Sequence, residues 1–107
     1  MHATHDNRPE NVIVAETVQA FITLMDALKL EQRAVDSVHP YLIDVMTCLG
    51  KVQGLGADFE GTMKLRLWLQ KMNNMKATDE LSEDEARQLT LDIDLSYTAF
   101  HNYLKRA

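Results

Sequence analysis

The sequence is poor in the residues that staple, break or anchor a chain. Its one cysteine, Cys48, cannot close a disulfide within the chain, which excludes a disulfide-built scaffold and favours a buried thiol in a reducing compartment. Two prolines and four glycines are too few to punctuate many short strands, so long helices are expected. No apolar run approaches the roughly 20 residues a membrane-spanning helix needs. The polar opening MHATHDNRPEN has no signal-peptide core, which leads to the expectation of a cytosolic chain. Basic charge is the minority: 11 Lys and Arg against 16 Asp and Glu leave a net charge of -5, and such a chain is repelled by phosphate backbones and anionic lipid. Nucleic acid and direct membrane insertion are not expected.

Catalytic and metal signatures are equally scarce. There is no glycine-rich phosphate loop, nucleophile elbow or zinc-ligand quartet. His2 and His5 are three apart but lie in a segment with no helical signal and no supporting carboxylate or cysteine, so no metal site is assigned to them. His39, beside Pro40, and His101 have no Cys, Ser or Asp at motif spacing and read as surface or capping histidines. The acidic run Asp79 to Glu85 lacks the alternating ligands and central glycine of an EF-hand loop. Asp92 and Asp94 point in different directions on a helix and read as a solvated face rather than a catalytic pair. No catalytic residue, metal or cofactor is expected.

What the chain does have is helical periodicity in 107 residues that are 46% hydrophobic and 25% charged, enough for one domain with an apolar core. Residues 1–10 read as a flexible lead-in and 11–107 as the folded domain. Helix one, about Asn11 to Leu30, gathers Val14, Val18, Phe21, Met25 and Leu28 on one face. Helix two, capped at Asp36 or Ser37 with Pro40 in its opening turn, runs to about Gln53 with Val38, Leu42, Val45, Leu49 and Val52 inward. Gly54, Gly56 and Gly61 bracket a flexible connection. Helix three, about Thr62 to Met75, presents Leu65, Trp68, Leu69, Met72 and Met75. Helix four begins at Glu83 behind a Ser82/Glu85 capping box and turns Ala86, Leu89, Ile93, Tyr97, Phe100 and Leu104 inward. Four such stripes with short connections predict an all-α, antiparallel four-helix bundle.

The candidate site is therefore a surface. At about 100° per residue, Thr23, Ala27 and Leu30 fall opposite the core stripe of helix one, with Asp26 at the margin and Arg33 just beyond. On helix four, Leu91 and Leu95 fall away from the inner stripe. Either strip can serve as a partner patch, and a helix that buries a wide arc accounts for the leucines equally well. Two rival functions remain. One is a hydrolase or transferase fragment that would have only His39, His101, Cys48 and the helix-four aspartates. The other is an oligomerisation or scaffold bundle, and against it a monomer is expected.

The segments AFITLMDALKLEQRAVDSVHPYL, DFEG, LWLQKM, ATDEL and RQLTLDIDLSYTAFHNYL, in this order and spacing, resemble the C-terminal domain of vacuolar-protein-sorting subunit twenty-eight of ESCRT-I, over roughly Val12 to Leu104. The resemblance implies an autonomous four-helix adaptor, without the N-terminal half that packs against the other ESCRT-I subunits. It also implies a link to ESCRT-II through its GLUE-domain subunit, by a zinc finger in fungi, with ESCRT-III as a further contact. Recruitment to endosomes and cargo sorting into multivesicular bodies would follow. Where many members carry a double proline before DFEG, this chain has Gly56 and Ala57, so a more mobile connection is expected.

Overall fold

The computed structural model describes residues 8–56 and 58–106. His2, His5 and most of the lead-in lie outside the described residues, as does Ala57. Four helices follow in order: α1 Glu10–Lys29, α2 Val35–Lys51, α3 Glu60–Asn73 and α4 Glu83–Arg106. They form an all-α bundle in which α1 and α3 each pack against α2 and α4. Alternation of direction is fixed by the hydrogen bonds at the two ends. At one end the Tyr103 hydroxyl donates to the Gln53 carbonyl at 2.9 Å and the Gln53 N–H to the Glu10 carboxylate at 3.1 Å. The start of α1 and the ends of α2 and α4 therefore meet there. At the other end residues 33–36 run antiparallel to 77–81.

That second junction explains where α2 begins. Ala34, not Asp36 or Ser37, occupies the cap position, and it makes no side-chain cap bond. The orphan N–H groups of the first turn are taken by the α3–α4 connection instead: Val35 donates to the Asp79 carbonyl at 2.8 Å and Asp36 to that of Ala77 at 3.0 Å. With the start moved to Val35, Pro40 is the sixth helical residue rather than part of the opening turn, and Asp36 loses its usual intrahelical donor. Helix α1 stops by a backbone motif. The N–H groups of Glu31 and Gln32 return to the carbonyls of Leu28 at 3.0 Å and Ala27 at 3.1 Å, with Glu31 in the left-handed region at φ 62. Helix α4 starts as expected, the Ser82 hydroxyl accepting from the Glu85 N–H at 3.0 Å and the Glu85 carboxylate from the Ser82 N–H at 2.8 Å.

The core stripes of α2 and α4 lie where periodicity puts them. Val38, Leu42, Val45, Leu49 and Val52 are buried, as are Leu89, Ile93 and Phe100. Phe21 joins α1 to α4, stacked on Phe100 at 6.1 Å and edge-on to Tyr97 at 5.4 Å. The stripe of α1 is turned by roughly 80° from the expected one. Its centre is Ile13, Thr17, Phe21, Leu24 and Ala27, while Val14, Val18, Met25 and Leu28 are only half-buried. Thr17 is admitted to the core because its hydroxyl donates to the Ile13 carbonyl at 2.8 Å.

Contrary to the expectation from uninterrupted runs, α1 is long and apolar enough by length and composition to cross a membrane; here its buried stripe packs in the bundle. In α3, Leu65 and Met72 are buried, but Trp68 and Leu69 are half-buried and Met75 lies beyond the helix end. Gly54 and Gly56 do serve the connection, at φ 83 and 79. Gly61 is instead a buried residue of the first turn of α3. A Cβ there would come within 3.3 Å of the Ser96 Cβ on α4, so this glycine lets the two helices approach.

Candidate functional site

Among the described residues, no group of three or more His, Cys, Asp and Glu side chains could hold a metal ion. His39 pairs its Nε2 with the Asn73 Oδ1 at 3.0 Å, tying α2 to α3, and His101 is exposed on α4. Burial pushes the Cys48 thiol up from its ordinary range; Lys51 pulls it down, and Glu16 and Asp44 push it up again. The shift favours the protonated thiol over the nucleophilic thiolate.

Asp92 does not lie on a solvated face. It is 8% exposed between α3 and α4, where its carboxylate accepts from Trp68 Nε1 at 2.8 Å and Gln88 Nε2 at 3.0 Å, with Lys64 Nζ at 3.7 Å. The indole of the half-buried Trp68 supplies the donor that makes this burial tolerable. Asp94, by contrast, is exposed.

The two strips fare differently. On α1, Thr23 and Asp26 are exposed and Leu30 is 74% exposed at the C-cap, but Ala27 is 5% exposed and belongs to the core. Rotation of the stripe carries Ala27 inward, so Ala27 is withdrawn from the outer surface. Thr23 lines a shallow groove of about 350 Å³ between α1 and α2 with Gln19, Tyr41 and Lys51. Arg33 is half-buried in the α1–α2 connection, where its carbonyl accepts the Leu81 N–H at 2.8 Å.

On α4, Leu91 and Leu95 are 51% and 50% exposed and stand one turn apart. Leu95 borders a groove of about 340 Å³ between α3 and α4, shared with Glu60, Lys64, Thr98 and Asn102. Sequence reasoning missed a second exposed apolar pair, on α3. Met63 and Leu67 are exposed at 50% and 65%, again one turn apart and outside the inward stripe. Their four-residue spacing is visible in the sequence, but the α3 residues that border the α3–α4 groove are Glu60, Gly61 and Lys64. Several charges on α3 and α4 are paired, Lys71 with Glu85 at 2.9 Å, Arg87 with Asp84 at 3.1 Å and Lys64 with Asp92 at 3.7 Å. The arrangement suits apolar docking with a polar rim rather than covalent or acid–base chemistry.

Comparison with known proteins places this geometry. The family described as "VPS28 protein" matches residues 1–104. The chain is 44% identical to vacuolar protein sorting-associated protein 28 of Dictyostelium discoideum, over 97% of this chain and 37% of that protein. It is 48% identical to homolog 1 of Arabidopsis thaliana, over 89% of this chain and 46% of that protein. The chain thus spans less than half the length of these relatives. In structure it is similar to the C-terminus of yeast ESCRT-I Vps28, with a TM-score of 0.78 and 37% identity, covering 85% of this chain and 90% of that one.

Proposed function

We propose that this chain, which belongs to the VPS28 protein family, is a non-catalytic adaptor that links ESCRT-I to ESCRT-II for sorting of ubiquitinated membrane cargo into multivesicular bodies. The GLUE-domain subunit of ESCRT-II is the principal partner and an ESCRT-III subunit a further one. Contacts with the other ESCRT-I subunits belong to the remaining length that the relatives carry. The protein works in the cytoplasm and reaches the endosome membrane through its complex.

The observation that carries this reading is the likeness, over 85% of this chain, to the C-terminus of an ESCRT-I subunit, on a bundle whose α4 exposes Leu91 and Leu95. Within that bundle the strip of Leu91 and Leu95 is the better docking face, because two large apolar side chains stand exposed one turn apart there and Leu95 borders the α3–α4 groove. Thr23, Asp26 and Leu30, with Arg33 at the rim, form the alternative face.

A pull-down of purified ESCRT-II and ESCRT-III subunits on the immobilised chain tests the proposal. Retention of the GLUE-domain subunit is expected. Retention of no subunit, together with self-association in light scattering, would replace the adaptor by a scaffold bundle.

A further inference from the structure

We propose that α3 is an undocking element: a helix latched to α4 through buried Asp92 that opens as a unit while the other three helices stay folded. The argument begins with what α3 buries. It is the shortest helix, at 14 residues against 20, 17 and 24. Leu65 and Met72 are its only large apolar side chains that are fully buried, whereas α2 commits Val35, Val38, Leu42, Val45 and Leu49. Apolar burial is the main cost of lifting a helix off a core, so α3 is the least expensive to lift.

Beyond these, Trp68 and Leu69 pack half-buried against the core, and the other ties are polar. Trp68 Nε1 donates to Asp92 at 2.8 Å, Lys64 lies 3.7 Å from the same carboxylate, Lys71 pairs with Glu85 at 2.9 Å, and the Ser96 hydroxyl donates to the Gly61 carbonyl at 3.2 Å. Toward α2, His39 bonds Asn73. On opening, water replaces most of what these bonds supply. Asp92 is the buried carboxylate among these groups, at 8% exposed, and Trp68 is the hydrogen-bond donor that α3 supplies to it, beside Gln88 from α4.

The remainder of the bundle keeps contacts that do not pass through α3. Helix α1 packs against both α2 and α4, and Phe21 stays stacked on Phe100. Two pins bound the segment that would move. Before it, Gln53 is held by Tyr103 and Glu10; after it, the carbonyls of Ala77 and Asp79 are held by Asp36 and Val35. Just inside the first pin lie Gly54 and Gly56, the glycines in the left-handed region, where the backbone can turn without a Cβ penalty.

Native-state hydrogen exchange on the intact chain, across sub-denaturing urea, tests the proposal. The α3 amides should exchange at least about tenfold faster than the slowest amides of α1, α2 and α4, with a shallower urea dependence. Trp68→Phe keeps an aromatic ring but removes the donor, and should accelerate α3 exchange by about tenfold while leaving the slowest α1 and α2 amides unchanged. A single isotherm shared by all four helices in the wild type would overturn the proposal, as would equal acceleration of every helix by Trp68→Phe. If that variant does not fold, the wild-type isotherms decide.

Discussion

Glu31 sits at φ 62 immediately after the C-cap of α1, in a region where a side chain is strained and glycine is not. The position is imposed by the two bonds that return to Ala27 and Leu28, so it cannot relax without uncapping the helix. A non-glycine residue in this region costs about 1–2 kcal/mol. Glycine recovers that cost but gives back about 0.5–1 kcal/mol through the greater freedom of the unfolded chain. The exposed Glu31 carboxylate also lies at the negative end of the helix dipole, and its loss adds a few tenths of a kcal/mol. Glu31→Gly should therefore stabilise the domain by about 0.5–1 kcal/mol, read as a higher urea midpoint at unchanged slope. Glu31→Ala separates the contributions: it removes the charge but keeps the Cβ, and should gain no more than a few tenths of a kcal/mol. A Glu31→Gly protein less stable than the wild type would refute the backbone argument.

Ala27→Asp buries a carboxylate without a partner, and in urea titration it should cost at least about 3 kcal/mol; a change below about 0.5 kcal/mol would return Ala27 to the surface. Ser82→Ala removes the acceptor for the Glu85 N–H and should cost about 1 kcal/mol in thermal unfolding. The bond from the Ser82 N–H, reinforced by Lys71, holds the Glu85 carboxyl below its ordinary pKa, so the folded state keeps it ionised where the unfolded chain has taken up a proton. Its contribution is present above the ordinary glutamate range, near about pH 4.3, and is lost as pH falls through the lower folded value. Glu85→Gln preserves the capping box but should flatten that part of the acid stability profile; an unchanged profile would count against the assignment.

Helix existence and order were legible because each stripe repeats at helical spacing, and the Ser82/Glu85 box marked the start of α4 to the residue. Where the reading failed, the cause lay outside the local segment. The start of α2 depends on carbonyls more than forty positions away in sequence, at Ala77 and Asp79. The rotation of α1 is ambiguous because Ile13, Val14, Val18, Phe21, Leu24 and Met25 spread over about 140° of arc and Val12 and Ile22 extend it further, so only packing chooses the buried centre. That ambiguity cost Ala27 its place in the candidate surface. Asp92 was read as solvated because its donor, Trp68, arrives from another helix. Leu91 and Leu95 are legible in the sequence as leucines outside the inner stripe of α4, whereas the exposure of Met63 and Leu67 on α3 follows only from how that helix packs.

The most direct test of the adaptor assignment is calorimetric titration of the purified ESCRT-II GLUE-domain subunit into the wild-type chain and into Leu91→Asp/Leu95→Asp. Saturable one-to-one binding is expected for the wild type, with at least a tenfold loss of affinity in the double variant, about 1.4 kcal/mol, and an unchanged helical spectrum. Equal affinity in both, with loss on Leu30→Asp instead, would move the site to α1; absence of binding by the folded wild type would contradict the adaptor assignment.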